Sequence, residues 1–377
     1  MLLTDLQRLI AYPTVSNRPI RSLASHLAER AEDCGFQVTT YESPHDPTKV
    51  NVVATIGPED ADGLILSGHM DVVPTEGQPW DSDPFVLTER DGRLYGRGTA
   101  DMKGFIACCL HACDALDLSR LKRQLVLIWT HDEEVGCQGS ALLAEALRDS
   151  PRRLPTECLI GEPTDFQILR MHPGHVSVRI ETFGESAHSS KPDLGASAIK
   201  AMQRVLTLCE EVENELLHER RLEESLDRPW VAFNVGQIQG GQAVNLVPDH
   251  CELLLGYRPL PGDDSKAVFN RLTEGIDALP LPEGTRAKAS IRTLSPALLT
   301  PEGLALQAAL EEHACHKKLG AASFATDGGN LASLGIQSLI FGPGSIDVAH
   351  KANEYVSREA LERGAKMVEA VIRDRCL

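Results

Sequence analysis

His69, Asp71, Asp101, Glu133, Glu134, Glu162 and His350 are residue types that bind or serve divalent metal ions, and they stand where packing alone would not put charge. Two such ions about 3.5 to 4 Å apart need donors on each and a carboxylate between them, because their mutual repulsion must be offset by anionic oxygen. His69, Asp101, Glu134, Glu162 and His350 meet that need. Asp71, two residues beyond His69, suits the carboxylate that accepts an imidazole N–H and fixes which ring nitrogen faces a metal. Glu133 and Glu134 are adjacent and cannot both point the same way in extended chain, so Glu134 is taken as ligand and Glu133 as general base. Each residue alone has a plainer reading. Asp101 could cap the helix after it, Asp71 could belong to a turn, His350 to a surface loop, and the glutamate pair to the solvated start of a helix. As a set they point to a two-metal hydrolase. The chain has no His-Glu-x-x-His, Gly-x-Ser-x-Gly or phosphate-binding glycine motif, which argues against serine hydrolase chemistry.

Hydrophobic period predicts the elements that would carry these groups. Residues 2–11 and 20–34 read as helices, 36–40 and 50–56 as strands, and 64–67 as a short apolar strand that delivers His69. A helix over 102–117 follows Asp101. The core strand 125–130 releases Glu133 and Glu134, and the segment 157–163 releases Glu162. Three strand ends presenting polar groups on one rim is the arrangement in which α/β proteins place their chemistry. From 176 the pattern changes to strict alternation, then a helix at 193–218, strands at 231–238 and 251–257, a helix at 265–277 and an extended stretch at 285–291. That order predicts a small α+β sandwich with one antiparallel sheet. Beyond about 295 the first pattern returns, with a strand at 338–342, His350 after it and an amphipathic helix at 357–374. The expected fold class is α/β: a mixed-sheet α/β/α catalytic domain of residues 1–175 and 294–377, with a ferredoxin-like α+β domain of 176–293 inserted in it.

With 377 residues, two domains are the default. The 37 basic and 54 acidic side chains give a net charge of -17, which repels nucleic acid and anionic membranes as bulk partners. No stretch reaches the roughly 18 apolar residues that span a bilayer, and the opening residues lack a basic leader pattern, so a cytoplasmic location is expected. The ten cysteines are not in paired spacing and predict thiols, not a disulfide framework. Cys137, close to the glutamate pair, is taken as a wall residue.

The segments Ser67-Gly68-His69-Met70-Asp71-Val72-Val73-Pro74 and Gly342-Pro343-Gly344-Ser345-Ile346-Asp347-Val348-Ala349-His350-Lys351 closely resemble those of the M20 metallopeptidase and deacylase family, and the likeness runs over nearly the whole chain. It implies a zinc hydrolase with two divalent ions, zinc or substituting cobalt. His69 and Glu162 would complete one site, Glu134 and His350 the other, and Asp101 would bridge. Asp71 would orient a ligand and Glu133 would act as base and proton shuttle. In the inserted domain, Gly184 to Pro192 resembles the family's lid segment, which makes His188 a candidate for stabilising the oxyanion, in dimeric members that of the partner subunit. Asn245 and Arg258 match positions that hold the tetrahedral oxygen and the substrate carboxylate. By residue type alone, His188 could be a loop histidine and Arg258 could pair with a local aspartate. The inserted domain is then a lid and dimerisation domain, and a homodimer is expected.

The segments 236–241, 187–190 and 326–329 resemble the acetylornithine deacetylase branch. This implies hydrolysis of N2-acetyl-L-ornithine to L-ornithine and acetate in arginine biosynthesis, with a small N-acyl amino acid as partner. The alternatives are another N-acyl-amino-acid deacylase, a succinyl-diaminopimelate desuccinylase or a dipeptidase. Asp327 stands where that branch tends to show glutamate, and His131 where the family is more often small. Asp327 is a candidate for holding a distal ammonium, with helix capping as its plainer role.

Overall fold

Continuous apolar runs and alternating runs sort the chain into two sheets of different character. The computed structural model describes residues 1–16, 18–59, 62–150, 153–219 and 226–377. Two units emerge: Met1–Met171 with Leu298–Ala322 and Thr326–Leu377, and His172–Ala297 with Ser323–Ala325.

In the first unit the strands Leu64–His69 and Leu125–Thr130 are buried at every position, and Val50–Ile56 at all but its last. Runs rich in Val, Ile and Leu with no polar face fit only a sheet covered on both sides. The strands lie in the order 37–42, 50–56, 125–130, 64–69, 157–160, 337–340, 169–172, 298–299, with 320–321 beside 169–172. The centre is parallel, and the 37–42, 50–56 side is antiparallel. Helix Lys103–Ala115 packs against Leu2–Ile10 and Arg358–Cys376. Its alanines, cysteines and Gly104 permit close approach; a Cβ at Gly104 would lie 2.3 Å from the Thr99 carbonyl oxygen. This is the α/β catalytic architecture expected of the sequence.

A three-stranded sheet of 88–90, 93–95 and 355–357 was not foreseen. Its hairpin turns on Asp91-Gly92, both at positive φ, a dipeptide that signals a two-residue hairpin although the strands beside it have three residues each.

The second unit runs strand His175–Phe183, helix Ala198–His218, strands Ala232–Gly240 and His250–Arg258, helix Ala267–Ala278 and strand Arg286–Ser295. The sheet is antiparallel throughout, in the order 232–240, 250–258, 175–183, 286–295. This β-α-β-β-α-β order is ferredoxin-like, as the sequence predicts. Val176, Val178, Ile180, Leu253 and Leu255 meet Met202, Val205 and Leu272 in its core, each such burial contributing about 1.5 to 3 kcal/mol. The long helix begins five residues later than expected because Ser197 caps it, accepting the Lys200 N–H at 3.4 Å. Residues 220–225, beyond this helix, lie outside the described residues. Among the described residues no helix is long and apolar enough to cross a membrane. The ten cysteines are free thiols.

Candidate metal centre

Strand register gathers the donors. His69 pairs with Thr130 and Ser67 with Ile160 in parallel ladders, so His69, the turn after Thr130 and Glu162 all leave the sheet on one edge. Strand Gln337–Ile340, in parallel register with Glu157–Ile160, sends the chain over the same edge towards His350. Gly161 is required beside Glu162: a Cβ there would lie 1.8 Å from Phe105 Cγ.

Asp101 lies between the two imidazoles. Its Oδ1 is 2.9 Å from His69 Nε2 and its Oδ2 is 3.1 Å from His350 Nε2. His350 Nε2 is also 2.9 Å from Glu134 Oε2, and His69 Nε2 is 3.7 Å from Glu162 Oε1. Donor atoms of His69, Asp101 and Glu134 fall within 4.8 Å of one another, as do those of His69, Glu133 and Glu162. His350 sits in a surface loop at φ 63°, with its side chain 53% exposed, yet its ring is held by two buried carboxylates. The helix-cap role for Asp101 is not made: the first helical residue is Lys103 and no side chain caps it. The glutamate pair does not start a helix either, since the next one begins at Gln138.

The structure corrects the contact expected of Asp71. His69 Nδ1 donates to the Asp71 carbonyl oxygen at 3.0 Å, while the nearer carboxylate oxygen is 3.7 Å away, beyond hydrogen-bond range. The reason is competition. The Asp71 carboxylate accepts from the Ser16 hydroxyl at 2.8 Å and from the N–H groups of Glu133 and Glu134 at 3.1 and 3.3 Å. It fixes the glutamate turn, and its backbone fixes the imidazole.

The donors carry too much negative charge for their surroundings. Burial, followed by the Asp101 charge, pushes Glu134 up to about 7. Burial, with the charges of Glu162, Asp327 and Glu134, pushes Glu133 well up against the pull of His69, and burial with the Asp101 charge does the same to Glu162. Burial alone would depress His69, but the hydrogen bond to Asp101 and the Glu162 charge raise it well above its usual value. Hydrogen bonds to Asp101 and Glu134 lift His350 to about 10. Asp101 moves the other way: burial disfavours its charge, but the bonds from His350 and His69 hold it well below the carboxylate range. Two imidazoles and several buried carboxylates that retain protons for want of positive charge are a fitting donor set for divalent cations.

Asp327 is buried in the same unit. Its Oδ2 accepts from Thr130 Oγ1 at 2.5 Å, and its donor atoms cluster with those of Glu133 and Cys137. It stands before the helical turn Gly328–Leu331 without a side-chain capping bond. Cys137 Sγ lies 3.4 Å from Glu133 Oε1, so this wall residue touches the candidate base. His131 donates its backbone N–H to Asn51 Oδ1, and its ring nitrogen Nδ1 is 3.1 Å from Asp132 Oδ2.

In the other unit, the segment around His188 pairs with the segment around Asn245. Val247 N–H donates to the Ala187 carbonyl at 2.8 Å and Ser189 N–H to that of Asn245 at 2.9 Å. Both side chains are exposed. The Ser190 N–H donates to His188 Nδ1 at 3.2 Å, which leaves the ring proton on Nε2, free to donate outward. Arg258, at the end of its strand, has no carboxylate partner among the described residues, and burial lowers its pKa. The local aspartate pairing considered for it is absent there.

Sequence reasoning missed several supports. Lys49 Nζ binds Asp132 Oδ1 at 2.6 Å, buried behind the glutamate turn, and Arg97 binds Glu354 at 2.7 Å behind Asp101. Arg97 and Glu354 are adjacent in sequence to the Asp101 and His350 segments, the one signal that could have found them.

Fold and donor cluster together describe a metal-dependent hydrolase of amide or peptide bonds. Residues 65–374 match Peptidase family M20/M25/M40, and the chain belongs to that family. Among solved structures it is similar to an M20 family metallo-carboxypeptidase from Sulfolobus solfataricus, at 18% identity and TM-score 0.78, covering 99% of this chain and 98% of that one. A tripeptidase from Staphylococcus aureus matches at 21% identity and TM-score 0.71 over 99% and 97%. Human carnosine dipeptidase 1 matches at 17% identity and TM-score 0.68 over 99% and 96%. At such identities the likeness carries the fold.

Proposed function

We propose that the chain is a deacylase of N-acyl amino acids with N2-acetyl-L-ornithine as its substrate, working with two divalent ions, zinc or substituting cobalt. The observation that carries the reaction class is Asp101, with one carboxylate oxygen against each imidazole. His69 and Glu162 would hold one ion, Glu134 and His350 the other, and Asp101 both. When bound, such a pair supplies polarisation of the scissile carbonyl and acidification of water. Glu133 takes the proton of the attacking water on the carboxylate oxygen that does not face Cys137, and returns it to the leaving nitrogen. Asp71 keeps Glu133 in place through its backbone N–H. His188 Nε2–H and the Asn245 amide donate to the tetrahedral oxygen, and Arg258 grips the substrate carboxylate through paired N–H donors.

The ornithine reading rests on the segments around His188, Asn245 and Asp327, with Asp327 holding the distal ammonium. Replacing Asp327 by Asn is expected to raise KM for an amine-bearing substrate more than for a neutral acetylated amino acid; equal effects would remove that role. A second reading, hydrolysis of small peptides, is favoured by the departures at Asp327 and His131 and by the peptidases named among the structural neighbours. The exposed edge strand Ala232–Gly240 supports a homodimer through the inserted unit.

A substrate panel on the zinc- or cobalt-loaded protein separates these readings. It compares N-acetyl-L-ornithine, N-acetyl-L-methionine, N-succinyl-diaminopimelate and several dipeptides, with Glu133→Gln as control. Preference for N-acetyl-L-ornithine, lost in the control, is the expected result. Preference for dipeptides would move the chain to the second reading.

A further inference from the structure

The loop before Asp101 and the loop after His350 are fastened to each other by a buried ion pair. Glu354 Oε1 accepts from the backbone N–H groups of Gly98, Ala100 and Asp101 at 3.0, 2.9 and 3.1 Å, so the turn that presents the Asp101 carboxylate is wrapped around the Glu354 carboxylate. Gly98 makes the wrap possible, with φ 89° and a Cβ position 2.9 Å from Val72. Arg97 Nη1 donates to Glu354 Oε2 at 2.7 Å, and the two side chains are 1% and 0% exposed. Arg97 Nη2 donates to Gln78 Oε1 at 2.6 Å, and Gln78 Nε2 donates to the carbonyl oxygen of His350 at 3.0 Å. Glu354 lies four residues beyond His350. The chain of contacts therefore runs from the Asp101 backbone through Glu354, Arg97 and Gln78 to the His350 backbone without passing through any metal donor atom.

We propose that Arg97 and Glu354, with Gln78, are positioning residues that set the spacing between Asp101 and His350 before any ion arrives, and so tune affinity at the centre. The proposal rests on reading Asp101 and His350 as metal ligands. A buried pair of this kind is a poor source of net stability, since desolvating both charges offsets most of their attraction. It does give three backbone N–H groups a single fixed acceptor, and outer partners of this sort commonly tune metal affinity by about 10- to 100-fold.

The test is zinc titration of the metal-free full-length chain by calorimetry, with the absorption spectrum of bound cobalt as a second readout. Glu354→Gln is expected to weaken zinc binding about 10- to 100-fold and to shift the cobalt bands. Gln78→Ala, which leaves the buried pair intact, is expected to weaken zinc about fivefold through the lost tie to His350, and it decides the matter if Glu354→Gln does not fold. Asp101→Asn probes the underlying reading and is expected to lose one equivalent of zinc. Two zinc ions bound to Asp101→Asn at unchanged affinity would overturn the metal centre itself. Loss of zinc there, with wild-type binding and cobalt spectra in the folded Glu354 and Gln78 variants, would leave the centre standing and overturn the positioning role.

Discussion

The two units bury different kinds of group. In the inserted unit the buried polar side chains among the described residues are His172, Thr182 and Ser295, none of them a carboxylate, lysine or arginine. Its strand His175–Phe183 alternates buried and half-buried without a break, so its stability is of the ordinary apolar kind. The catalytic unit buries His69, Asp71, Asp101, Glu162, Asp327, Lys49, Asp132, Arg97, Glu354 and Lys103. Some of these are paired off: Lys103 donates to the carbonyls of Leu9 and Tyr12, Lys49 to Asp132, Arg97 to Glu354. The group on the strand edge is not balanced in that way: the carboxylates of Asp101, Glu133, Glu134 and Glu162 gather around the two imidazoles of His69 and His350. The structural charges of Lys49, Arg97 and Lys103 have fixed partners within the chain, a carboxylate for Lys49 and Arg97 and two carbonyl oxygens for Lys103. The unmatched ones mark where a ligand of opposite charge belongs.

The largest expected effect follows from removing one proton acceptor. Glu133→Gln keeps the shape and volume of the side chain and is expected to lower kcat by about 10² to 10⁴-fold with zinc content and melting temperature near wild type. A variant that retains activity would take the base role from Glu133. The second effect uses the charge imbalance. Burial pushes the Glu134 carboxyl up to about 7 and hydrogen bonds to Asp101 and Glu134 push His350 up to about 10, so near neutral pH both groups hold on to protons that zinc must displace. Protons compete with metal, so affinity should rise with pH between 6 and 8, and zinc addition at pH 7 should release protons measurable with an indicator dye. A pH-independent affinity would mean that these groups are not ligands.

Much of this was legible in the chain because the carriers are simple. Uninterrupted apolar runs such as Leu125 to Thr130 admit one interpretation, and the alternation at Val176 to Glu181 another, so the α/β class and the α+β insertion could be read from period alone. The donors were legible because histidines and acids at the ends of apolar strands have few other reasons to be there. What could not be read is how carboxylates divide their hydrogen bonds. Whether Asp71 meets the imidazole by its carboxylate or its carbonyl depends on Ser16, 55 residues away in sequence, and on two backbone N–H groups. The Arg97–Glu354 pair spans 257 residues and has no local pattern. The strand Leu169–His172 is too short to declare itself by period, and it takes its form from tertiary pairing.

The inserted unit offers a smaller response to pH, of the same sign but in folding stability and at lower pH. His172 is fully buried, its Nδ1–H donates to the Pro173 carbonyl at 3.0 Å, and burial lowers its pKa to about 4. It stays neutral in the fold while an unfolded histidine takes a proton near pH 6.5. The unfolded state therefore binds more protons below 6.5, and stability is lost as pH falls from 6.5 towards 4, by about 3 kcal/mol for this group. Denaturant titrations at pH 7 and 4.5, followed by hydrogen exchange in strand 175–183, should show that loss in the wild type and a flatter profile in His172→Asn. An unchanged acid limb in the variant would place the sensitivity elsewhere.

The smallest effect on folding tests what the inserted unit is for. Ile238 is 53% exposed on the edge strand Ala232–Gly240, whose one neighbour in the sheet among the described residues is His250–Arg258. An edge with free N–H and C=O groups and exposed aliphatic side chains is a template for pairing, and an inward charge is the usual means of blunting it. Ile238→Asp removes little buried surface, so the change in folding stability should stay within about 0.5 kcal/mol. Its effect should fall on association: sedimentation equilibrium is expected to show a dimeric wild type and a variant shifted towards monomer. A monomeric wild type would end the dimer proposal. A dimer indifferent to the charge would move the interface off this edge.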